Sequence, residues 1–247
     1  MKKTVIIVIA IVAVVAIVST VIALKGWPAG LIGSGNLETE SYAFSDFTEL
    51  EIGSAFEFEV VQSSSYSINI TADDNVMDYV QVSKDGQTLK IGLRTGLGIF
   101  LGPVSATLRA SVTMPQVRQF TASGASHGTV SGFSSTEDLD ITVSGASRVT
   151  GDVTAGNVQF GISGASTIQL EGSANDIDAN VSGASHLSLD DFVVNDADVN
   201  LSGASSGTVN LNGRLDANLS GASTLWYIGE PTSTNINTSG ASTVSKK

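Results

Sequence analysis

Asp176-Ile177-Asp178-Ala179-Asn180-Val181-Ser182-Gly183-Ala184-Ser185 is the stretch on which the fold turns. Its first six residues alternate polar and apolar, the period of a strand with one buried face. Its last four, Ser-Gly-Ala-Ser, occur seven times, from Ser123, Ser144, Ser163, Ser182, Ser202, Ser220 and Ser239, at spacings of 21, 19, 19, 20, 18 and 19 residues. The same alternation precedes other copies: Leu139, Ile141 and Val143 against Asp138, Asp140 and Thr142, or Ala197, Val199 and Leu201 against Asp196, Asp198 and Asn200. Nothing in the repeat has helical period.

About 19 residues at roughly 3.3 Å each trace about 60 Å of chain, enough for one closed circuit of three short strands and their corners. The expected fold is therefore all-β: a single-stranded parallel β-helix, right-handed by the rule for parallel crossovers, with about seven rungs. The corner glycines Gly124, Gly145, Gly164, Gly183, Gly203, Gly221 and Gly240 suit positive φ, and the flanking serines suit hydroxyl ladders between rungs. Leucine-rich repeats share the period but need a Leu-rich consensus and a helical return path, and a propeller blade needs about twice the length.

Outside the repeats, Val5 to Leu24 is a 20-residue run without a charge. As a helix it would span about 30 Å, the thickness of a bilayer's hydrocarbon core. Lys2 and Lys3 precede it, Lys25 and Trp27 follow, and Ile22-Ala23-Leu24 is a poor cleavage site, so a signal anchor over 1–25 is expected rather than a cleaved signal peptide. The expected location is the cell membrane, single-pass, with the C-terminal domain extracytoplasmic. Residues 26–36 read as a Gly-rich linker and 37–247 as one head domain, divided into N-terminal rungs and cap (37–115) and the Ser-Gly-Ala-Ser repeats (116–247). Lys84-Asp85-Gly86-Gln87 reads as a hairpin turn. Gly92 to Pro103, with Leu97, Ile99, Phe100 and Leu101, reads as an apolar loop capping the open end, or as a partner- or membrane-contacting tip.

The exported segment Phe47-Thr48-Glu49-Leu50-Glu51-Ile52, the Gly86-Gln87-Thr88-Leu89-Lys90-Ile91 hairpin, the Val112-Thr113-Met114-Pro115 strand end and the repeated Ser-Gly-Ala-Ser together resemble the head GIN domain family, labelled auto-transporter adhesins, over roughly residues 44–242. The resemblance implies a bacterial or archaeal surface β-helix and supplies no catalytic residues. After the last repeat come five residues, with no stretch for an outer-membrane barrel, which favours the single-helix anchor.

The chemistry-bearing residues are sparse. There is no Cys, hence no thiolate nucleophile and no disulfide. His127 and His186 follow the repeat motif in rungs three apart, on the order of 14 Å from each other, too far to share a metal or a catalytic triad. Gly33-Ser34-Gly35 lacks the rest of a phosphate loop. A polysaccharide-active enzyme would need placed carboxylates with Arg or Lys and aromatics along a groove. From the first Ser-Gly-Ala-Ser onward Arg148 and Arg214 are the only basic residues before Lys246 and Lys247, and the adjacent Trp226 and Tyr227 face opposite ways. An adhesin-like binding module without catalysis is the leading reading, with envelope polysaccharide or surface proteins as partners. A structural or envelope-sensing scaffold and a polysaccharide-active enzyme are the alternatives.

All 24 acidic residues lie beyond Lys25, against nine of the 12 basic ones, so the exported part carries 9 − 24 = −15, which disfavours nucleic acid and anionic lipid. Asp176, Asp178, Asp196, Asp198 and Asp216 should share one strip, where neighbours about 4.8 Å apart repel by roughly 1 kcal/mol even in water. That strip is either a solvated face that keeps the sheet soluble or a weak Ca²⁺ site bridging rungs. No other cofactor is expected. Asn-x-Ser/Thr sequons at Asn69, Asn180, Asn200, Asn218 and Asn237 follow from an Asn row meeting a Ser row.

Overall fold

A computed structural model describes residues 30–94 and 104–247. The apolar run 5–24 lies outside the described residues, as do Trp27 and the Leu97, Ile99, Phe100 and Leu101 of the apolar loop. Among the described residues no helix is long and apolar enough to cross a membrane.

The repeats build a parallel β-solenoid. Each copy contributes one strand before its Ser-Gly-Ala-Ser corner and one after it, and each strand pairs with its counterparts 17 to 21 residues away. The leading strands are Gln119–Ala122, Leu139–Val143, Val158–Ile162, Asp176–Val181, Asp196–Leu201, Arg214–Leu219 and Ser233–Thr238. They form most of a ten-stranded sheet. The trailing strands, His127–Ser134, Arg148–Thr154, Thr167–Ser173, His186–Val194, Ser206–Leu211, Thr224–Ile228 and Thr243–Lys246, form most of an eleven-stranded one.

Each circuit thus has two paired strands where the sequence suggested three. The missing bend is a kink inside the trailing strand. Pairing there slips between Val130 and Phe133, between Gln169 and Gly172, and between Ser188 and Val193. Gly151 shows why the kink needs glycine: its φ is 147°, and a Cβ would lie 1.8 Å from the Val130 carbonyl oxygen.

At the Ser-Gly-Ala-Ser corners the expected positive φ is present at all seven glycines, from 65° at Gly124 to 81° at Gly145. A second constraint adds to the first. Successive glycines stack so closely that a Cβ on Gly183 would sit 2.4 Å from the Gly164 carbonyl oxygen. The second serine of the motif points inward: Ser126, Ser147, Ser166, Ser185, Ser205 and Ser223 are all buried. Burial of a hydroxyl requires a partner, and Ser147 Oγ donates to the Ser144 carbonyl at 2.8 Å, as Ser166 does to Ser163 and Ser223 to Ser220. The hydroxyls therefore close each corner on itself and also link rungs through the backbone, as Ser185 Oγ does by accepting the Ser166 N–H at 3.3 Å, without pairing hydroxyl to hydroxyl.

The space between the sheets is filled by inward side chains, each worth about 1.5–3 kcal/mol when a Val, Leu, Ile or Phe is fully buried. The central leading-sheet column runs Leu50, Phe120, Ile141, Phe160, Ala179, Val199 and Ala217. Its small Ala179 shares a rung with Phe192 of the opposite sheet, while Phe160 shares one with Gly172. The two phenylalanines meet edge to face at 6.4 Å. In these two rungs a large side chain on one sheet is matched by a small residue on the other.

The N-terminal part breaks the sequential order. Glu49–Ile52 and Glu57–Gln62 form the rung that stacks directly on Gln119–Ala122 and His127–Ser134. Thr88–Leu93 and Leu108–Met114 stack outside it, although they come later in the chain. Beyond these the end is closed by antiparallel strands: Ser67–Asp73 with Leu37–Ser41 on one sheet, and Val80–Asp85, joined to Thr88–Leu93 by the expected hairpin, on the other. A four-residue helix, Asp74–Met77, bridges the two edges and buries Val76 and Met77. The described part of the expected linker is not free. Leu31–Ile32 pairs with Val104–Ser105, and Gly33 N–H donates to the Ser105 carbonyl at 3.0 Å.

Candidate functional site

On the outer face of the leading sheet the polar positions of the repeats line up across four rungs. Pairing register sets Asp178, Asp198, Asp216 and Asn235 in one column, and Asn180, Asn200, Asn218 and Asn237 in the next. Beside the Asn column, where each strand turns into its corner, lies the first serine of the motif: Ser182, Ser202, Ser220 and Ser239. The Asn and Ser columns line an open groove of about 500 Å³. The asparagines are linked along the groove, with Asn218 Nδ2 donating to Asn200 Oδ1 at 3.2 Å and Asn237 Nδ2 to Asn218 Oδ1 at 3.1 Å. At its inner end Asn180 Nδ2 donates to Asp178 Oδ1 at 2.8 Å instead. Each asparagine Oδ1 and Nδ2, and each serine Oγ, keeps further hydrogen-bonding capacity toward solvent. The floor is the backbone of Val181, Leu201 and Leu219, whose side chains turn inward into the core. The result is a shallow uncharged trough with the same donors and acceptors repeated about every 4.8 Å.

The five aspartates flank this trough in two columns. Asp176 pairs with Asp196, and Asp178 with Asp198 and then Asp216. Each has at least one oxygen engaged. Asp176 Oδ1 accepts the Asp196 backbone N–H at 3.0 Å, and Asp196 Oδ1 accepts that of Arg214 at 2.7 Å, so this column fastens successive rungs at the far corner. Asp138 does the same for Asn157 at 2.8 Å. Asp216 is ion-paired with Arg214, whose Nε also lies 3.6 Å from Asp196. Asp198 Oδ1 accepts from Asn200 at 3.4 Å. Among the described residues no group of three or more His, Asp or Glu side chains is arranged to hold a metal ion. Amide donors and one guanidinium thus offset part of the repulsion expected along the strip.

The remaining sequence candidates stay apart. His127, Arg148, Thr167, His186 and Ser206 follow one another in a single column of the trailing sheet, which separates the histidines by three rungs. His186 Nδ1 shares a 2.8 Å hydrogen bond with Ser206 Oγ. Trp226 is exposed while Tyr227 packs on the core, so they do face opposite ways and form no aromatic platform. The nearest thing to a basic patch, Arg109 with Glu57 and Arg118 with Glu137, is neutralised at 2.8 Å in both cases.

Two features were not singled out from sequence. The first is the trough: the Asn and Ser rows were visible, but their meeting in a concavity depends on how the sheet edge turns into the corner. The second is Asp73, a buried carboxylate in the otherwise unpatterned Thr71-Ala72-Asp73-Asp74, which no repeat marks out.

The family model described as "Putative auto-transporter adhesin, head GIN domain" matches residues 46–231. No curated protein matches the sequence. Among solved structures, a "putative adhesin" from Bacteroides fragilis NCTC 9343 superimposes with a TM-score of 0.80 at 21% identity, covering 88% of this chain and 100% of that one. A "Putative lipid binding protein" from Parabacteroides distasonis ATCC 8503 gives 0.70 at 22% identity, covering 89% and 100%. A "putative adhesin" from Parabacteroides merdae ATCC 43184 gives 0.66 at 18%, covering 88% and 99%. At these identities the likeness is one of fold.

Proposed function

The chain belongs to the head GIN domain family, and from that premise we propose that it is a cell-surface binding module without catalysis, held to the membrane by the apolar run 5–24. Its binding face is the Asn and Ser trough, and its partner is an extended polymer of the envelope, a polysaccharide in the first instance.

The observation that carries this reading is the repetition of the same uncharged donors and acceptors on four successive rungs. A trough of this kind suits a chain molecule that presents hydroxyl groups at regular intervals, since each sugar can meet the same amide and hydroxyl as the last. It is a poor catalyst: no acid and base pair stands across it, and its nearest carboxylates are committed to backbone amides, to Asn side chains and to Arg214. Membership of a family described as adhesins supports the same reading. A ligand enclosed between the sheets would find little room, because the described space there is occupied by the core from Phe47 to Leu225.

A glycan array and a cell-adhesion assay on the protein from residue 30 onward test the proposal. Binding without turnover is expected, and the double substitution Asn200→Arg, Asn218→Arg, which fills the trough with two charged stems, should reduce it by at least about tenfold, roughly 1.4 kcal/mol. Release of reducing ends would instead establish the enzyme alternative, and undiminished binding by the double variant would move the site elsewhere.

A further inference from the structure

From Leu31 onward the entering chain is fastened to the capped end of the solenoid. Beyond the Leu31–Ile32 pairing, Gly35 N–H donates to Asp73 Oδ1 at 2.6 Å, and Asp73 Oδ2 accepts the Thr107 N–H at 2.7 Å. Asp73 is 2% exposed. One buried carboxylate therefore clasps the incoming segment to the segment that leads into Leu108–Met114. The chain passes directly over it, since a Cβ on Gly33 would lie 2.1 Å from Asp73 Oδ2. Asn75 completes the clasp, with its Nδ2 donating to the Ile32 carbonyl at 2.9 Å and its Oδ1 accepting the Ser34 N–H at 2.9 Å.

Three apolar side chains stand exposed around the clasp, among the polar Ser34, Asn36 and Asn75. Ile32 is 70% exposed, Leu37 50% and Tyr79 36%, and all three lie on the capped end, on or beside the residues that Asp73, Asn75 and the short helix hold in place. Only residues 25–30 separate the end of the apolar run from Leu31. Six residues fully extended reach about 20 Å, so whatever holds the run also holds this end of the solenoid within that distance.

We propose that the capped end rests on the outer surface of the membrane spanned by residues 5–24, with Ile32, Leu37 and Tyr79 in its interfacial layer. The solenoid axis then points away from the lipid, and the trough, built from the last four rungs, is carried at the far end where a polymer can reach it. This rests on the reading of 5–24 as a membrane span. An aromatic with a polar tip and two aliphatic side chains suit the headgroup boundary. Exposed Glu38, Asp74 and Asp78 stand among them, so the complementary surface is a zwitterionic one rather than an anionic one.

The full chain contains no Cys, which makes site-specific labelling direct. Single variants Ile32→Cys, Leu37→Cys, Tyr79→Cys and Ser245→Cys would carry a polarity-sensitive fluorophore in phosphatidylcholine vesicles containing a lipid-borne quencher, with flotation run on the same samples. The chain should float, the three cap labels should shift to the blue and be quenched, and the Ser245 label should do neither. Phosphatidylglycerol vesicles should weaken the quenching at the cap. With the label at Tyr79→Cys, adding Ile32→Asp and Leu37→Asp should abolish the shift while flotation persists. A chain that fails to float overturns the membrane span and this proposal together. A chain that floats with its cap labels in water overturns the proposal alone, as does equal quenching at Ser245. A blue shift at the cap that needs no lipid would assign the patch to a protein partner instead.

Discussion

From Gln119 to Lys246 every strand lies parallel to its neighbours and stacks in the order of the sequence, whereas between Leu37 and Met114 the parallel rungs stack out of order and three further strand pairs are antiparallel. The repeats can be regular because each rung offers the next the same edge, the same stacked glycine and the same inward hydroxyl. For the same reason they cannot end themselves: a parallel rung always leaves an unpaired edge, a template for aggregation. The N-terminal end is closed by reversing strand direction and by large side chains, with Phe47, Phe56 and Phe120 fully buried and Phe58 nearly so. At the corner of its first rung Ser54 holds the glycine position at φ 63°, and Phe56 takes the place of the buried serine. At the other end the solution is compositional. Thr234 and Thr238 stand where the preceding rung has Leu215 and Leu219, and Lys246 and Lys247 pair with Glu230 and Asp190.

The comparison breaks most visibly at the corner glycines. Gly183→Val places a β-branched residue at φ 79° and drives its Cβ to 2.4 Å from a carbonyl of the rung beneath. The backbone strain alone is about 1–3 kcal/mol, and the stacking clash adds to it, so denaturant melts should show a loss of several kcal/mol or no cooperative transition. Gly240→Val meets a similar contact at 2.5 Å, but in the last rung, which can lift away. Its loss should be less than half as large. Equal losses at both would mean that the end rung is held as tightly as the interior.

Packing should show the next largest contrast. Phe192→Ala opens a cavity opposite Ala179 and removes the contact with Phe160, an expected cost of about 3–5 kcal/mol. Ile236→Ala, already 41% exposed in the final rung, should cost about 1 kcal/mol or less. Introducing Ala179→Leu with Phe192→Ala ought to recover part of the loss if volume is shared across the rung, and thermal melts of the two variants would show it.

Acid should loosen both regions more gently. The Ser34 hydroxyl beside Asp74, at the cap, and the Lys247 ammonium beside Asp190, in the repeats, hold these carboxyls below the usual carboxylate range. A depressed folded-state pKa means the ionised form favours the folded protein. Its contribution is therefore complete above the unfolded value of about 3.9 and disappears as pH falls through the lower folded value. Stability measured from pH 6 down to about 2 should decline over that window, and Asp74→Asn with Asp190→Asn should flatten the decline.

Calcium is expected to have the smallest effect. With Asp176 and Asp196 on backbone amides and Asp216 on Arg214, millimolar Ca²⁺ should change the melting temperature no more than Na⁺ at equal ionic strength. A rise specific to Ca²⁺ and reduced by Asp198→Asn would restore the bridging site.

Period-2 alternation before each Ser-Gly-Ala-Ser, and the constancy of the spacing, were enough to establish strands, parallel stacking, seven corners and the columns in which Asp, Asn and Ser fall. That information is local: an alternating residue reports which face it occupies, a corner glycine reports its φ, and a repeat names its own neighbour. Only the tertiary structure decided that the third bend is a kink at Gly151 and its counterparts, that Phe192 fills the space Ala179 leaves, and that Asn and Ser rows meet in a trough. It also placed Glu57–Gln62 beneath Leu108–Met114 and brought Gly35 to Asp73. Those contacts join positions with no shared period, by side-chain volume across the core and by strand pairing that reverses direction, and alternation along a single strand carries neither.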